Sequence, residues 1–243
     1  MLSFFSKQDF SDAFAFLHTD MHSHLLPGVD DGSPDVETSV DLLKNLQDIG
    51  FKKIITTPHI YQPFHKNTKA GLEGVYNTLK PQLKDKGIHL DFEVASEYFV
   101  DEHFEKLIQD DEIMSFGDKY VLIEISFVAY PKNLDAIIFE LTSRGYKPIL
   151  AHPERYLYLA DNIKFFENLI RVGCILQPNI NSFMGYYGRK SEEVARFFVE
   201  EKFASLLGTD LHHYRHLDAL KTLMKNKKIM KLLQNHNWLN PGL

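Results

Sequence analysis

Short apolar runs rich in β-branched and aromatic residues alternate along this chain with longer stretches whose apolar positions recur at helical spacing. The runs "FLHTDMH", "KKIITTPH", "IHLDFEVASEYF", "KYVLIEISF", "KPILAHP", "GCILQPNI" and "FASLLGTDLH" are the candidate strands. After the first lies "SPDVETSVDLLKNLQDIG", which predicts a helix. Ser33 is its expected N-cap and Pro34 its first helical residue. Asp35 and Glu37 suit its positive end, and Gly50 its stop. Further helical patterns occupy roughly 68–86, 131–145, 160–172 and 190–202, and a last helix follows residue 213. Such alternation implies parallel strands with helices outside. About seven units in 243 residues favour a closed or nearly closed barrel over an open sheet. No low-complexity segment, charge block or Pro/Gly-rich linker divides the chain, so the reading is one domain over residues 1–243. Residues 1–17 form an N-terminal extension that either covers the barrel bottom or mediates contacts.

In parallel barrels the working residues sit where strands end and loops begin. The first candidate strand ends in His22-Ser23-His24, with Asp31 in the loop. The second ends in Thr57-Pro58-His59, the third carries Glu97 and the fourth Glu124. The fifth ends in Ala151-His152-Pro153 and the seventh in Asp210-Leu211-His212. The sixth differs, offering Gln177, Asn179 and Asn181. The two-residue period of a strand puts His22 and His24 on one side, and likewise Asp210 and His212. Any one of these residues is more often a satisfied polar group than a ligand. Their conjunction at one end points to a multinuclear metal site, because buried carboxylates need partners. Mixed imidazole and carboxylate donors suit Zn²⁺, Mn²⁺, Fe or Co, and nine are too many for one ion.

Composition narrows the classes. The chain is 44% hydrophobic and 25% charged, an ordinary soluble balance. Its net charge of −6 argues against a general nucleic-acid binder. Cys174 is the single cysteine, which excludes an intrachain disulfide and fits a reducing, cytoplasmic location. It also excludes a cysteine-nucleophile phosphatase of the C-x₅-R kind, since Ile180 stands where the arginine is needed. The N-terminus "MLSFFSKQDFSDAFAF" reads neither as a signal peptide nor as a membrane span.

The ordered set "DMHSHLLPGVDDG", "TPH", "ASEYF", "LIEIS", "AHPERY" and "GTDLH", spanning about residues 18–213, resembles the PHP (polymerase and histidinol phosphatase) superfamily. More narrowly it is similar to the bacterial capsule-biosynthesis protein-tyrosine phosphatases of the CpsB/CapC and YwqE type. The resemblance implies a distorted (β/α)₇ TIM-like barrel with three divalent metal ions, manganese favoured among Mn, Fe, Zn and Co. It places His22, His24, Glu97 and Asp210 on one metal, and Glu97, Glu124 and His152 on a second. Asp31, His59 and His212 fall on the third. Asp31 and Glu124 favour the tyrosine-phosphatase branch over the histidinol-phosphatase branch. Arg155 of "HPERY" matches the family's phosphate-facing arginine. Arg215, in "DLHHYRH", stands nearer the D-x-H motif than the family's other arginine does.

The implied activity is metal-assisted hydrolysis of a phosphotyrosine monoester, with water acidified by the cations and the arginines stabilising phosphoryl charge. The expected substrate, again by resemblance, is a bacterial tyrosine kinase that controls exopolysaccharide and capsule synthesis. Ten aromatics after the strand ends (Tyr61, Phe64, Tyr98, Phe99, Phe127, Tyr130, Tyr156, Phe183, Tyr186 and Tyr187) are candidates to flank the phosphotyrosine ring. Against this stand a small-molecule phosphatase such as one for histidinol phosphate, a phosphodiesterase, and a non-catalytic module that binds a kinase tail. Neither nucleic acid nor membrane is an expected partner, and an oligomer is compatible with the sequence.

Overall fold

The computed structural model describes residues 10–243. Every strand pairing in its two ladders is parallel, as the alternating pattern predicts. One ladder joins β1 (Thr19–Asp20), β2 (Lys53–Thr56) and β4 (Asp91–Val94). The other joins β3 (His59–Ile60), β5 (Glu97–Phe99), β6 (Tyr120–Glu124), β7 (Lys147–Ala151) and β8 (Ile175–Gln177). The ladders are two halves of one wall. β2 runs on into β3 past Thr57-Pro58, where proline has no N–H to give the ladder. β4 runs on into β5 past Ala95-Ser96. Residues 204–211 close the circle through isolated bridges, Leu176 to Ala204 and Asn179 to Gly208 on one side and Leu211 to Ser23 on the other. The seven staves predicted from sequence are therefore present, with two of them broken by these irregular steps.

Helices pack outside the wall: α1 (Val36–Asp48), α2 (Lys69–Asp85), α3 (Glu102–Gln109), α4 (Leu134–Ser143), α5 (Ile163–Arg171), α6 (Arg189–Glu200), α7 (Tyr214–Leu223) and α8 (Lys227–Gln234). The pattern reading passes over α3, an eight-residue helix capped by Asp101, whose carboxylate accepts from Phe104 N–H. α1 starts later than expected. Its cap is Asp35, which accepts from Thr38 N–H at 2.8 Å, and not Ser33. Ser33 is instead buried in the preceding loop, its N–H donated to the His24 carbonyl at 3.0 Å and its hydroxyl paired with Ser39. Gly50 does end the helix, at φ +111°. Of the N-terminal extension, residues 1–9 lie outside the described residues. Phe14 and Leu17 are buried, and Phe14 stacks on Phe51 at 5.4 Å beside the α1–β2 turn. Among the described residues no helix is long and apolar enough to cross a membrane.

Two apolar layers position the site. The larger fills the space between wall and helices; the smaller includes Ile55, Ala95, Leu122, Ile149 and Leu206. The second set lines the inward face of the staves, and continuing along that face in steps of two leads to His59, Glu97, Glu124 and Asp210. One face of each of these staves is thus apolar below and ligand-bearing above.

Candidate metal centre

The bridge between Ser23 and Leu211 sets the register of the first and last staves, so the flanking His22, His24, Asp210 and His212 meet on its inner side. Opposite them, His59 is in register with Glu97 across β3 and β5. Glu124 ends β6, and His152 follows β7. His152 and Asp210 have φ of +34° and +50°, a left-handed backbone that turns each side chain off the regular strand direction. Gly208 is required nearby, since a Cβ there would lie 2.6 Å from that of His22.

All nine residues expected as ligands converge on one mouth. His22 Nε2 lies 3.3 Å from His24 Nε2 and from Glu97 Oε2, and 3.4 Å from Asp210 Oδ1. His24 Nε2 lies 3.3 Å from Glu97 Oε2 and 3.6 Å from Asp210 Oδ1. Four donors bound at about 2.1 Å around a tetrahedral ion are separated by about 3.4 Å, so this group has the spacing of a coordination shell. Next to it, His152 Nε2 sits 3.1 Å from Glu97 Oε1 and 3.5 Å from Glu124 Oε1. On the outer side, His59 Nε2 and His212 Nε2 each stand 3.6 Å from Asp31 Oδ1. Glu97 touches all three groups, because its Oε2 is also 3.2 Å from His59 Nδ1.

The surrounding hydrogen bonds set the histidine tautomers. His22 Nδ1 faces Gln177 Oε1 at 2.7 Å, and the Gln177 amide NH₂ donates to the Pro178 carbonyl and to Asn179 Oδ1. Its oxygen must therefore point at His22, which carries its proton on Nδ1 and bares Nε2 to the cluster. Asp30 does the same for His24, at 2.7 Å, while accepting the His59 and Gly32 N–H groups. The Asp210 carbonyl takes the His212 Nδ1 proton at 2.9 Å. Bare nitrogens facing one another and buried carboxylates repel unless a cation lies between them. Glu97 Oε2, buried and without a hydrogen-bond partner, fits the same need. The residues present thus suit bound metal ions, in an arrangement where His22, His24 and His212 are oriented from behind.

The electrostatics agree. Burial pushes the Glu97 carboxyl up, yet His22 and His59 outweigh it and hold the group well below the usual carboxylate range. Asp210 is likewise held well below by His22, His212 and Arg155 against its burial. Burial and the neighbouring Glu97 push Glu124 well above its ordinary value, the signature of carboxylates sharing one site. Burial lowers His59 to about 4 and also lowers His152 and His212, leaving these three neutral near pH 7. Burial acts the same way on His22 and His24, yet Glu97 and Asp210 raise the first and Asp30 and Glu97 raise the second, protons there taking the place a cation would hold.

The cavity above the cluster has a volume of about 350 Å³. Arg155 enters it from the short 3₁₀ turn Pro153–Arg155, donating to Asp210 Oδ2 at 3.1 Å. Its guanidinium is held between two rings, 4.8 Å from the centre of Phe127 and 4.4 Å from that of Tyr187. Arg215 does not join it. That residue lies on the first turn of α7, exposed, and does not line the cavity. Of the ten aromatics considered from sequence, Tyr61, Phe127 and Tyr187 line the cavity. Tyr98, Tyr156 and Phe183 are core residues, with the Tyr98 and Tyr156 hydroxyls bonded to the Met114 and Ile125 N–H groups. The sixth stave, which looks like the exception in sequence, supplies Gln177 behind His22 and Asn179, whose amide donates to Asp210 Oδ2 at 2.6 Å. Their position at the same strand end as the ligands is the signal that marks them.

Fold and mouth together define a PHP-type parallel α/β barrel with a site able to hold metal ions. Residues 18–232 match the model of the family described as capsular polysaccharide synthesis, CpsB/CapC, and the chain belongs to that family. It is similar to the tyrosine-protein phosphatase YwqE of Bacillus subtilis, 27% identical over 197 residues, covering 81% of this chain and 78% of the relative. The fold matches a chain from the crystal structures of YwqE from B. subtilis and CpsB from Streptococcus pneumoniae, described as metal-dependent tyrosine phosphatases. The TM-score is 0.78 at 24% identity, over 90% of this chain and 96% of that one. A histidinol phosphate phosphatase from Lactococcus lactis, complexed with zinc, L-histidinol and phosphate, is more distant. Its TM-score is 0.55 at 15% identity, over 86% of this chain and 92% of that one.

The role given to Gln177 is testable. Gln177→Leu keeps the bulk and removes the acceptor behind His22. We expect metal affinity to fall about 10- to 100-fold, read by competition with a chelator, while the fold is retained. Unchanged affinity would show that the hydrogen bond does not orient the ligand.

Proposed function

We propose that this chain is a metal-dependent protein-tyrosine phosphatase, and the observation that carries the reading is the convergence of nine imidazole and carboxylate groups on one mouth beside Arg155. With metal-bound histidines neutral and every carboxylate ionised, Asp30, Asp31, Glu97, Glu124 and Asp210 would oppose the guanidinium of Arg155, an excess of four negative charges. Three divalent cations would turn this into an excess of two positive charges, the complement of a phosphomonoester dianion. His22, His24, Glu97 and Asp210 would hold the first ion. Glu97, Glu124 and His152 would hold the second, and Asp31, His59 and His212 the third. A donor set of imidazole and carboxylate without thiolate suits Mn²⁺, with Fe, Co and Zn²⁺ as alternatives. When bound, the ions supply Lewis acidity, lowering the pKa of water and drawing charge from the phosphoryl oxygens.

The chain's own residues do the rest. Arg155 spends one N–H on Asp210 and has further in-plane donors for a phosphoryl oxygen. Tyr61, stacked on Phe99 at 3.9 Å, and Phe127, stacked on His152 at 5.6 Å, offer aromatic walls to an aryl group. A tyrosinate leaving group, with a phenol pKa of about 10, departs without strong general-acid help. The family's description and the name of YwqE support phosphotyrosine in a protein of capsular polysaccharide synthesis as the substrate, and the proposal takes that protein to be a bacterial tyrosine kinase met in the cytoplasm.

The test is phosphate release from a phosphotyrosine peptide and from histidinol phosphate, side by side, with Mn²⁺ and with chelator. Metal-dependent release that favours the peptide is expected. Preference for histidinol phosphate would overturn the substrate class, and release from neither after metal loading would overturn the enzyme reading.

A further inference from the structure

A phosphotyrosine side chain reaches the buried cluster only if its own main chain lies across the rim of the barrel, so the residues flanking it must rest on the rim loops. Most of one sector of that rim is apolar. The loop after β6, "SFVAYP" at 126–131, and the segment "YLYL" at 156–159 carry no charge, in a chain that is 25% charged. The Tyr158 hydroxyl donates to the Ser126 carbonyl at 2.9 Å, tying the two together. Phe127 lines the cavity while 45% exposed. Val128 and Leu157, on the same two loops, are 84% and 55% exposed, and Tyr130 is also exposed. Elsewhere the cavity lining includes Asp31, His65 and His213. Apolar side chains held in the open beside a catalytic mouth have a cost in water that a partner's apolar surface would offset.

Building on the phosphatase reading above, we infer that this sector is the docking shelf for the substrate polypeptide and selects apolar residues next to the phosphotyrosine. Phe127 joins shelf to cavity, so an aryl group in the mouth and an apolar neighbour on Val128 and Leu157 form one continuous contact. Charged flanking residues would lose hydration there without gaining a partner.

The experiment uses the metal-loaded protein, with Val128→Asn and Leu157→Asn, exposed changes that leave net charge alone. Three substrates are compared: p-nitrophenyl phosphate, a phosphotyrosine peptide flanked by leucines, and the same peptide flanked by aspartates. The wild type is expected to prefer the leucine peptide. The double variant should lose about tenfold in kcat/KM on that peptide, through KM, and stay within twofold on p-nitrophenyl phosphate. An equal loss on all three substrates, or no loss on the leucine peptide, would overturn the shelf. So would a change confined to sedimentation, which would make the sector a contact between copies of this chain. Failure of the wild type to hydrolyse either peptide or p-nitrophenyl phosphate would instead remove the phosphatase reading itself.

Discussion

Asp210→Asn is expected to cut phosphotyrosine turnover by about a thousandfold or more and to lower bound metal. Asparagine is the informative replacement because it tolerates the left-handed backbone that Asp210 adopts at φ +50°, so shape and strain are preserved while the charge is removed. Oδ1 faces His22 and His24, and Oδ2 accepts from Asn179 and Arg155. Without the carboxylate, the first group loses its second anion, and the Asn179 and Arg155 donors face an uncharged amide. Loss of several kcal/mol of cation-derived stabilisation of the transition state corresponds to a thousandfold in rate at about 4 kcal/mol. Metal content by elemental analysis, with kcat at saturating Mn²⁺, checks this. Near-wild-type turnover at saturating metal would take Asp210 out of the ligand set. Glu97→Gln, at the residue that touches all three groups, should be at least as severe.

Arg155→Ala should lower kcat/KM by about 10²- to 10³-fold, the range for removing one preorganised donor to developing charge. Arg155→Lys should recover little of it. A lysine is a point charge on a flexible stem, whereas the present site grips a planar guanidinium between Phe127 and Tyr187 and fixes one end on Asp210. Competitive inhibition by inorganic phosphate offers a readout free of turnover. It should weaken in both variants, and full phosphate affinity in Arg155→Ala would show that the side chain does no more than neutralise Asp210.

The two arginines show how far sequence reading carries. Arg155 and Arg215 both follow ligand motifs closely, and the family match of "HPERY" ranks Arg155 first without placing either side chain. The turn at Pro153 aims Arg155 inward, while the first turn of α7 leaves Arg215 in solvent. The helix start is a similar case. Ser33 and Asp35 are both good caps by type, and the loop claims Ser33 because its N–H is needed by the His24 carbonyl. Likewise, aromatic composition offers ten candidates for a ring-binding wall, three of which line the cavity.

Alternation of short apolar runs with amphipathic helices was enough to determine parallel strands with helices outside, since each run can bury both faces only that way. The number of units favoured a barrel without deciding its closure. Position at the end of each run was enough to put eight of the ligand-type residues at one end, with Asp31 in the loop that follows the first run, because that is a property of each run by itself. Tertiary structure decided everything that depends on pairing between distant segments. The Ser23–Leu211 bridge brings His22 and His24 to Asp210 and His212, Gln177 is set behind His22 from 155 residues away, and one rim sector is left apolar. These are consequences of register and barrel closure, which arise between strands and so are written in no single stretch of the chain.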